Sequence, residues 1–169
     1  MTSRVLLKAV VLNDPGPVQA TRKYLAEMIH SCFSDADVSY SERLSNAAAE
    51  LLENAQKYSP AGTTLTLKLV KTASELLLQI GNQLREDAVS VLRSIRREIR
   101  SVWAVADARE AFRKKVLASL SNPAAKAMLG YAKIRMETGG KLQARLAHGT
   151  LAVTLALPLV PQQEPQAVS

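Results

Sequence analysis

The chain has 169 residues, of which 47% are hydrophobic and 22% charged, with a formal net charge of +7. That length suits one domain with a proper core, and that composition excludes extensive disorder. No apolar run reaches the roughly 20 residues of a bilayer span, Lys8 interrupts any signal-like start, and Cys32 is the one cysteine, so the sequence predicts a cytoplasmic protein with no internal disulfide and no place in a membrane.

Residues 5–12 form a short apolar run ended by Asn13-Asp14-Pro15-Gly16-Pro17, which reads as a strand and a turn. Pro17 can then sit in the first turn of a helix reaching about Phe33, with Val18, Leu25, Met28, Ile29 and Phe33 as its stripe. Residues 34–37 break the pattern, and Ser41 is the expected N-cap of a second helix that ends near Tyr58 and buries Leu44, Ala48, Leu51, Leu52 and Ala55. The period then falls from about 3.6 to 2, so residues 64–70 and 75–81 read as an antiparallel hairpin. Residues 84–120 turn helical again, as one helix or two. Asn122-Pro123 opens a further helix, which Gly139-Gly140 ends. Two last strands, residues 141–147 and 150–157, flank the turn His148-Gly149.

Hairpins alternating with helices imply an α/β (α+β) fold, a two-layer sandwich whose mixed, mostly antiparallel sheet carries helices on one face. The domain should span residues 1–158, with 159–169 as a disordered tail. With aromatics at only 4%, the core must be aliphatic.

Charge is unevenly placed. Residues 85–115 hold nine Lys or Arg against five Asp or Glu, which accounts for +4 of the +7. Arg93, Arg96, Arg97 and Arg100 form a stripe that reads either as a solvated helix back or as a docking face for an acidic protein. Nucleic acid is the less favoured partner, because no aromatics interleave the arginines and no recognition motif accompanies them. His30 and His148 lack metal-ligand spacing. Cys32, Trp103 and Asp14 read as structural residues.

The stretch Glu50-Leu-Leu-Glu-Asn-Ala-Gln-Lys-Tyr-Ser59 poses the functional question. Residues four apart on a helix lie about 40° apart around its axis, with Cβ atoms about 5–6 Å from one another, so Glu50 and Asn54 can act on one ligand. An Asn oxygen suits a Mg²⁺ shell, and a Glu can take a proton from an attacking hydroxyl. Lys57 can reach phosphate oxygens, and Tyr58 can lie against a base or sugar. The same residues also make an ordinary solvated helix face.

The run Leu51-Leu-Glu-Asn-Ala-Gln-Lys-Tyr-Ser-Pro60 resembles the N-box of the GHKL superfamily, the gyrases, heat-shock chaperones, histidine kinases and MutL proteins that share the Bergerat ATP-binding fold. Leu129-Gly130-Tyr-Ala-Lys-Ile-Arg-Met136, Gly139-Gly140, Gly149-Thr150 and Leu155-Ala-Leu-Pro158 are similar to that family's closing segment. The likeness covers roughly residues 40–158. In layout it is closest to bacterial serine kinases of the anti-sigma type and their SiaB-like relatives, which phosphorylate or hold small partner proteins. The resemblance implies ATP and Mg²⁺ as cofactors, with Asn54 on the metal and Glu50 as catalytic base. By the same likeness Lys57, Tyr58, Asn82, Leu129, Gly130 and Thr150 would line the nucleotide. It further implies a bacterial signalling protein with a protein partner; a second copy of the chain is the other candidate partner.

The likeness is incomplete. Where the family has an adenine-binding Asp followed by glycines, this chain has Ile80-Gly81-Asn82-Gln83-Leu84; a neutral amide is a weaker acceptor than a carboxylate. The phosphate-loop glycines are reduced to Leu129-Gly130 behind Ala124-Ala125-Lys126-Ala127-Met128, whose side chains occupy room that a phosphate-cradling backbone needs. Two outcomes follow: an ATP-dependent kinase or regulator that binds nucleotide in a modified way, or a nucleotide-free domain kept as a protein-interaction scaffold.

Overall fold

A computed structural model describes residues 3–33, 38–84, 87–121 and 129–159. Its elements run β1 (Arg4–Leu12), α1 (Pro15–His30), α2 (Val38–Tyr58), β2 (Thr64–Lys71), β3 (Glu75–Gln83), α3 (Ala88–Trp103), α4 (Ala108–Ser121), α5 (Leu129–Thr138), β4 (Lys141–Ala147) and β5 (Thr150–Pro158). The strands form one sheet in the order β1-β2-β3-β5-β4, and every neighbouring pair is antiparallel. This is the two-layer α+β sandwich that the alternation of periods predicts.

Register explains the layers. Successive residues of a strand point to opposite faces, so paired strands build rows of like side chains. One row runs Leu7, Leu69, Leu78, Leu155, Leu142, and the next Ala9, Leu67, Ile80, Val153, Ala144. These rows face the helices, and most of their members are buried. The alternate rows, with Lys8, Thr66, Lys68, Gln79 and Thr154, face outward. A third inner row runs Val11, Leu65, Asn82, Leu151, Leu146. Asn82 therefore puts an amide into an otherwise apolar row, where it is 2% exposed.

Above this face lie α1, α2 and α3, and α5 packs against α2, α3 and α4. The five residues expected on the buried side of α2 are all buried. Asn13, buried at the end of β1, fixes the far end of that helix by donating its amide to Pro60 O at 2.9 Å, while its backbone N–H donates to Thr63 O at 2.7 Å.

Residues 84–120 divide into two helices because a second cap intervenes. The Asp107 carboxylate accepts from the Arg109 amide at 2.7 Å, as the Asp87 carboxylate accepts from Val89 at 3.0 Å, and each satisfies an N–H that has no partner within its own helix. Ser41 is not a cap. It lies inside α2, buried, with its hydroxyl donating to Val38 O at 2.8 Å and 2.6 Å from His30 Nδ1. The Asn122-Pro123 helix start and Ala124 to Met128 lie outside the described residues. So do residues 160–169 of the expected tail, whereas Pro158 closes β5 and the Leu159 amide donates to Ser74 O at 2.8 Å. No described helix is long and apolar enough to cross a membrane.

Candidate functional site

The α2 helix carries two neighbouring sets of side chains toward α5. Glu50, Glu53, Asn54 and Lys57 line an open cleft of about 400 Å³, closed on its other sides by Phe112 of α4 and by Leu129, Gly130 and Lys133 of α5. The approach of α5 depends on Gly130. A Cβ there would lie 3.1 Å from Glu50 Oε2 and 3.2 Å from Asn54 Nδ2, tighter than ordinary van der Waals contact. The leucine-glycine pair thus places α5 directly on the carboxylate and amide of α2.

Glu50 is paired within this cleft. Lys133 Nζ donates to Glu50 Oε1 at 2.7 Å, with the two side chains 37% and 27% exposed. The bond to Glu50 is the largest of the causes that raise the Lys133 pKa above its ordinary value. One turn further along α5, burial raises the Glu137 carboxyl above the usual range, opposed by Lys133; Glu137 Oε2 is buried and has no hydrogen-bond partner among the described residues. The junction is therefore a ladder of fixed charges, in which the expected base already holds a cation.

Behind this cleft lies a second space, lined by Leu51, Asn54, Ala55, Tyr58, Ile80, Asn82, Ile95, Tyr131, Leu151 and Val153. It brings together Asn54, Tyr58 and Asn82, the set that the resemblance assigns to nucleotide. Its free volume is only about 10 Å³, room for about one water molecule at most. Tyr131 of α5 and Ile95 of α3, each 4% exposed, line it from the helical layer together with Leu51 and Tyr58 of α2. Burial raises the Tyr131 pKa strongly, and it raises that of Tyr58 as well. The Asn82 amide donates to Gln83 O at 3.2 Å.

The predicted residues thus separate into three places. Glu50, Lys57, Leu129 and Gly130 line the outer cleft, Tyr58 and Asn82 the inner slot, and Asn54 both. Thr150 is elsewhere. It pairs with Gln83 on the outward face of the sheet, where its Cγ2 lies 3.4 Å from the position a Cβ on Gly81 would take. Lys57 sits over the Tyr58 ring, Nζ 5.6 Å from its centroid. Sequence reasoning missed Lys133, Tyr131 and Phe112. Phe112 carried no local signal, because only the folding of α4 onto α5 brings it to the cleft.

The inner slot does not fit a purine. Tyr131 and Ile95 would have to leave it, and both belong to the packed helical layer. For the phosphates the outer cleft has room, cations and the Asn54 amide; the phosphate-loop segment, 122–128, lies outside the described residues. Among the described residues, no group of three or more His, Cys, Asp or Glu could hold a metal ion.

No protein-family model matches the chain, and no curated protein matches it. Among solved structures it is similar to the Acinetobacter baumannii histidine kinase AdeS, at 13% identity over 91% of this chain and 68% of that one, with a TM-score of 0.43. A likeness that loose assigns no residue a role.

Proposed function

We propose that this chain is a signalling protein with a histidine-kinase-like fold that regulates a protein partner by binding it, without nucleotide in its inner slot. The observation that carries this reading is the closure of that slot to about 10 Å³ around Asn54, Tyr58, Asn82 and Tyr131. The Glu50–Lys133 pair at 2.7 Å supports it, since the side chain expected to act as base is already held by an ammonium on α5. The N-box and closing-segment resemblance supports the fold and the class of role. Titration calorimetry with ATP, ADP or GTP and Mg²⁺ at millimolar concentration is expected to give no saturable heat. Binding that Asn54→Ala removes would refute the nucleotide-free form.

A second reading is favoured by one observation. Glu50, Asn54, Lys57 and Lys133 share an outer cleft of about 400 Å³, enough for a phosphate chain. In that reading the protein is an ATP-dependent serine or threonine kinase whose helical layer opens for the base. Transfer of labelled γ-phosphate to a partner, lost in Glu50→Gln with binding kept, would establish it; transfer that survives in Glu50→Gln would remove Glu50 from the chemistry.

A further inference from the structure

An opening larger than either the outer cleft or the inner slot lies elsewhere. A groove of about 710 Å³ runs between α3 and the edge strand β4, lined by Arg93, Arg96, Arg100 and Arg145 over an apolar floor that includes Leu92, Ile99 and Leu142. No carboxylate lines it, and none of these four arginines has an ion-pair partner among the described residues. The acidic residue nearest in sequence on α3, Glu98, is turned away to Lys115 of α4, at 2.5 Å. All four arginines are exposed.

The strand side of the groove is equally specific. Arg96 Nε donates to Ala144 O at 3.0 Å, so that carbonyl points away from β5 and toward the groove. In antiparallel pairing the outward groups recur every second residue, which puts the backbone of Leu142 and Leu146 on the same free edge. An exposed strand edge is a template for another strand unless something covers it. Here one guanidinium stands in for a neighbouring strand at one carbonyl.

We propose that this groove docks an acidic, extended segment of a partner protein, added as a strand beside β4 with its carboxylates on Arg93, Arg96, Arg100 and Arg145. The incoming backbone replaces Arg96 at Ala144 and frees that guanidinium for a carboxylate, which it binds more strongly than a carbonyl. The dimensions agree. Val89 to Arg100 spans about 16 Å of helix, the length of about five strand residues. Because alternate residues of the added strand face opposite sides of the sheet, acids on its helix-facing side would meet Arg93, Arg96 and Arg100 beside Leu92 and Leu142, and acids on its other side would meet Arg145. This inference rests on the partner-binding reading above and names its surface.

The probe is a fluorescein-labelled seven-residue peptide, Glu-Glu-Val-Glu-Glu-Val-Glu, which carries acids on both faces of a strand, followed by anisotropy at low salt. Saturable binding is expected, weakened about tenfold or more by Arg96→Glu combined with Arg100→Glu. Arg97→Glu is the control for charge, because Arg97 lies on the same helix but does not line the groove; it should weaken binding less than about threefold. Methylating alternate backbone nitrogens of the peptide should also cost about tenfold, since it blocks strand pairing. The proposal is overturned if Arg97→Glu matches the double variant, if the methylated peptide binds unchanged, or if a single-stranded oligonucleotide binds more tightly and loses affinity on the same substitutions. Nucleotide binding by calorimetry would instead overturn the reading above and leave the groove intact.

Discussion

The α2–α5 junction and the α3–β4 groove are opposites in the same helical layer. At the junction Glu50 has Lys133, and the space behind is filled by Tyr131 and Ile95. In the groove four arginines have no acidic partner among the described residues, and about 710 Å³ stays open. The difference teaches that a motif and an opening are separate observations. The residues with the most recognisable spacing face a slot that is closed and a cleft whose carboxylate is already paired, whereas the unpaired arginine surface is built from residues that carry no motif.

Substitutions can break this comparison. The largest expected effect is Tyr131→Ala, which removes a 4% exposed aromatic from the inner slot and should cost about 3–5 kcal/mol in urea unfolding. A loss below about 1 kcal/mol would mean that Tyr131 does not hold the slot shut. Lys133→Met should cost about 1 kcal/mol, because Glu50 loses its partner at a half-exposed position. Arg93→Gln and Arg100→Gln, by contrast, should leave stability within about 0.5 kcal/mol, since neither loses an ion pair. Equal costs in the junction and the groove would erase the distinction.

The smallest effect concerns pH. The Glu137 carboxyl titrates above its ordinary 4.5 because it is partly buried, so the folded state binds its proton more tightly than the unfolded chain does. Its contribution therefore falls as pH rises from 4.5 through the raised value, and Glu137→Gln should flatten that limb and raise the melting temperature at pH 7. Lys133 has the opposite placement. Its raised pKa makes a contribution that is fully present below 10.5 and is lost only in more alkaline solution, so it does not disturb the acid limb. A melting profile of Glu137→Gln parallel to that of the parent from pH 4 to 7 would contradict the assignment.

Much of the fold was legible because burial is periodic in the sequence. Leu65, Leu67 and Leu69 alternate with polar residues, and Leu44, Ala48, Leu51, Leu52 and Ala55 recur at helical spacing, so both layers could be drawn from the sequence. The break between α3 and α4 was not, because Asp107 resembles any other polar residue until its carboxylate is seen accepting from Arg109. At the site, the α2 residues were legible as one helical face. Their closure was not: the pairing of Glu50 with Lys133 spans 83 positions and needs the close approach permitted by Gly130. Thr150 shows the same limit from the other side, since a one-residue alternation along β5 decides which face of the sheet it occupies.

The most direct test of the closed slot is thermal unfolding of the intact chain with and without millimolar Mg²⁺-ATP. A ligand held only by the folded state at a hundred times its dissociation constant adds about 2.7 kcal/mol, which is easily read as a higher melting temperature. The account predicts an unchanged melting temperature for both the parent chain and Asn54→Ala. A rise in the parent that Asn54→Ala abolishes would contradict it.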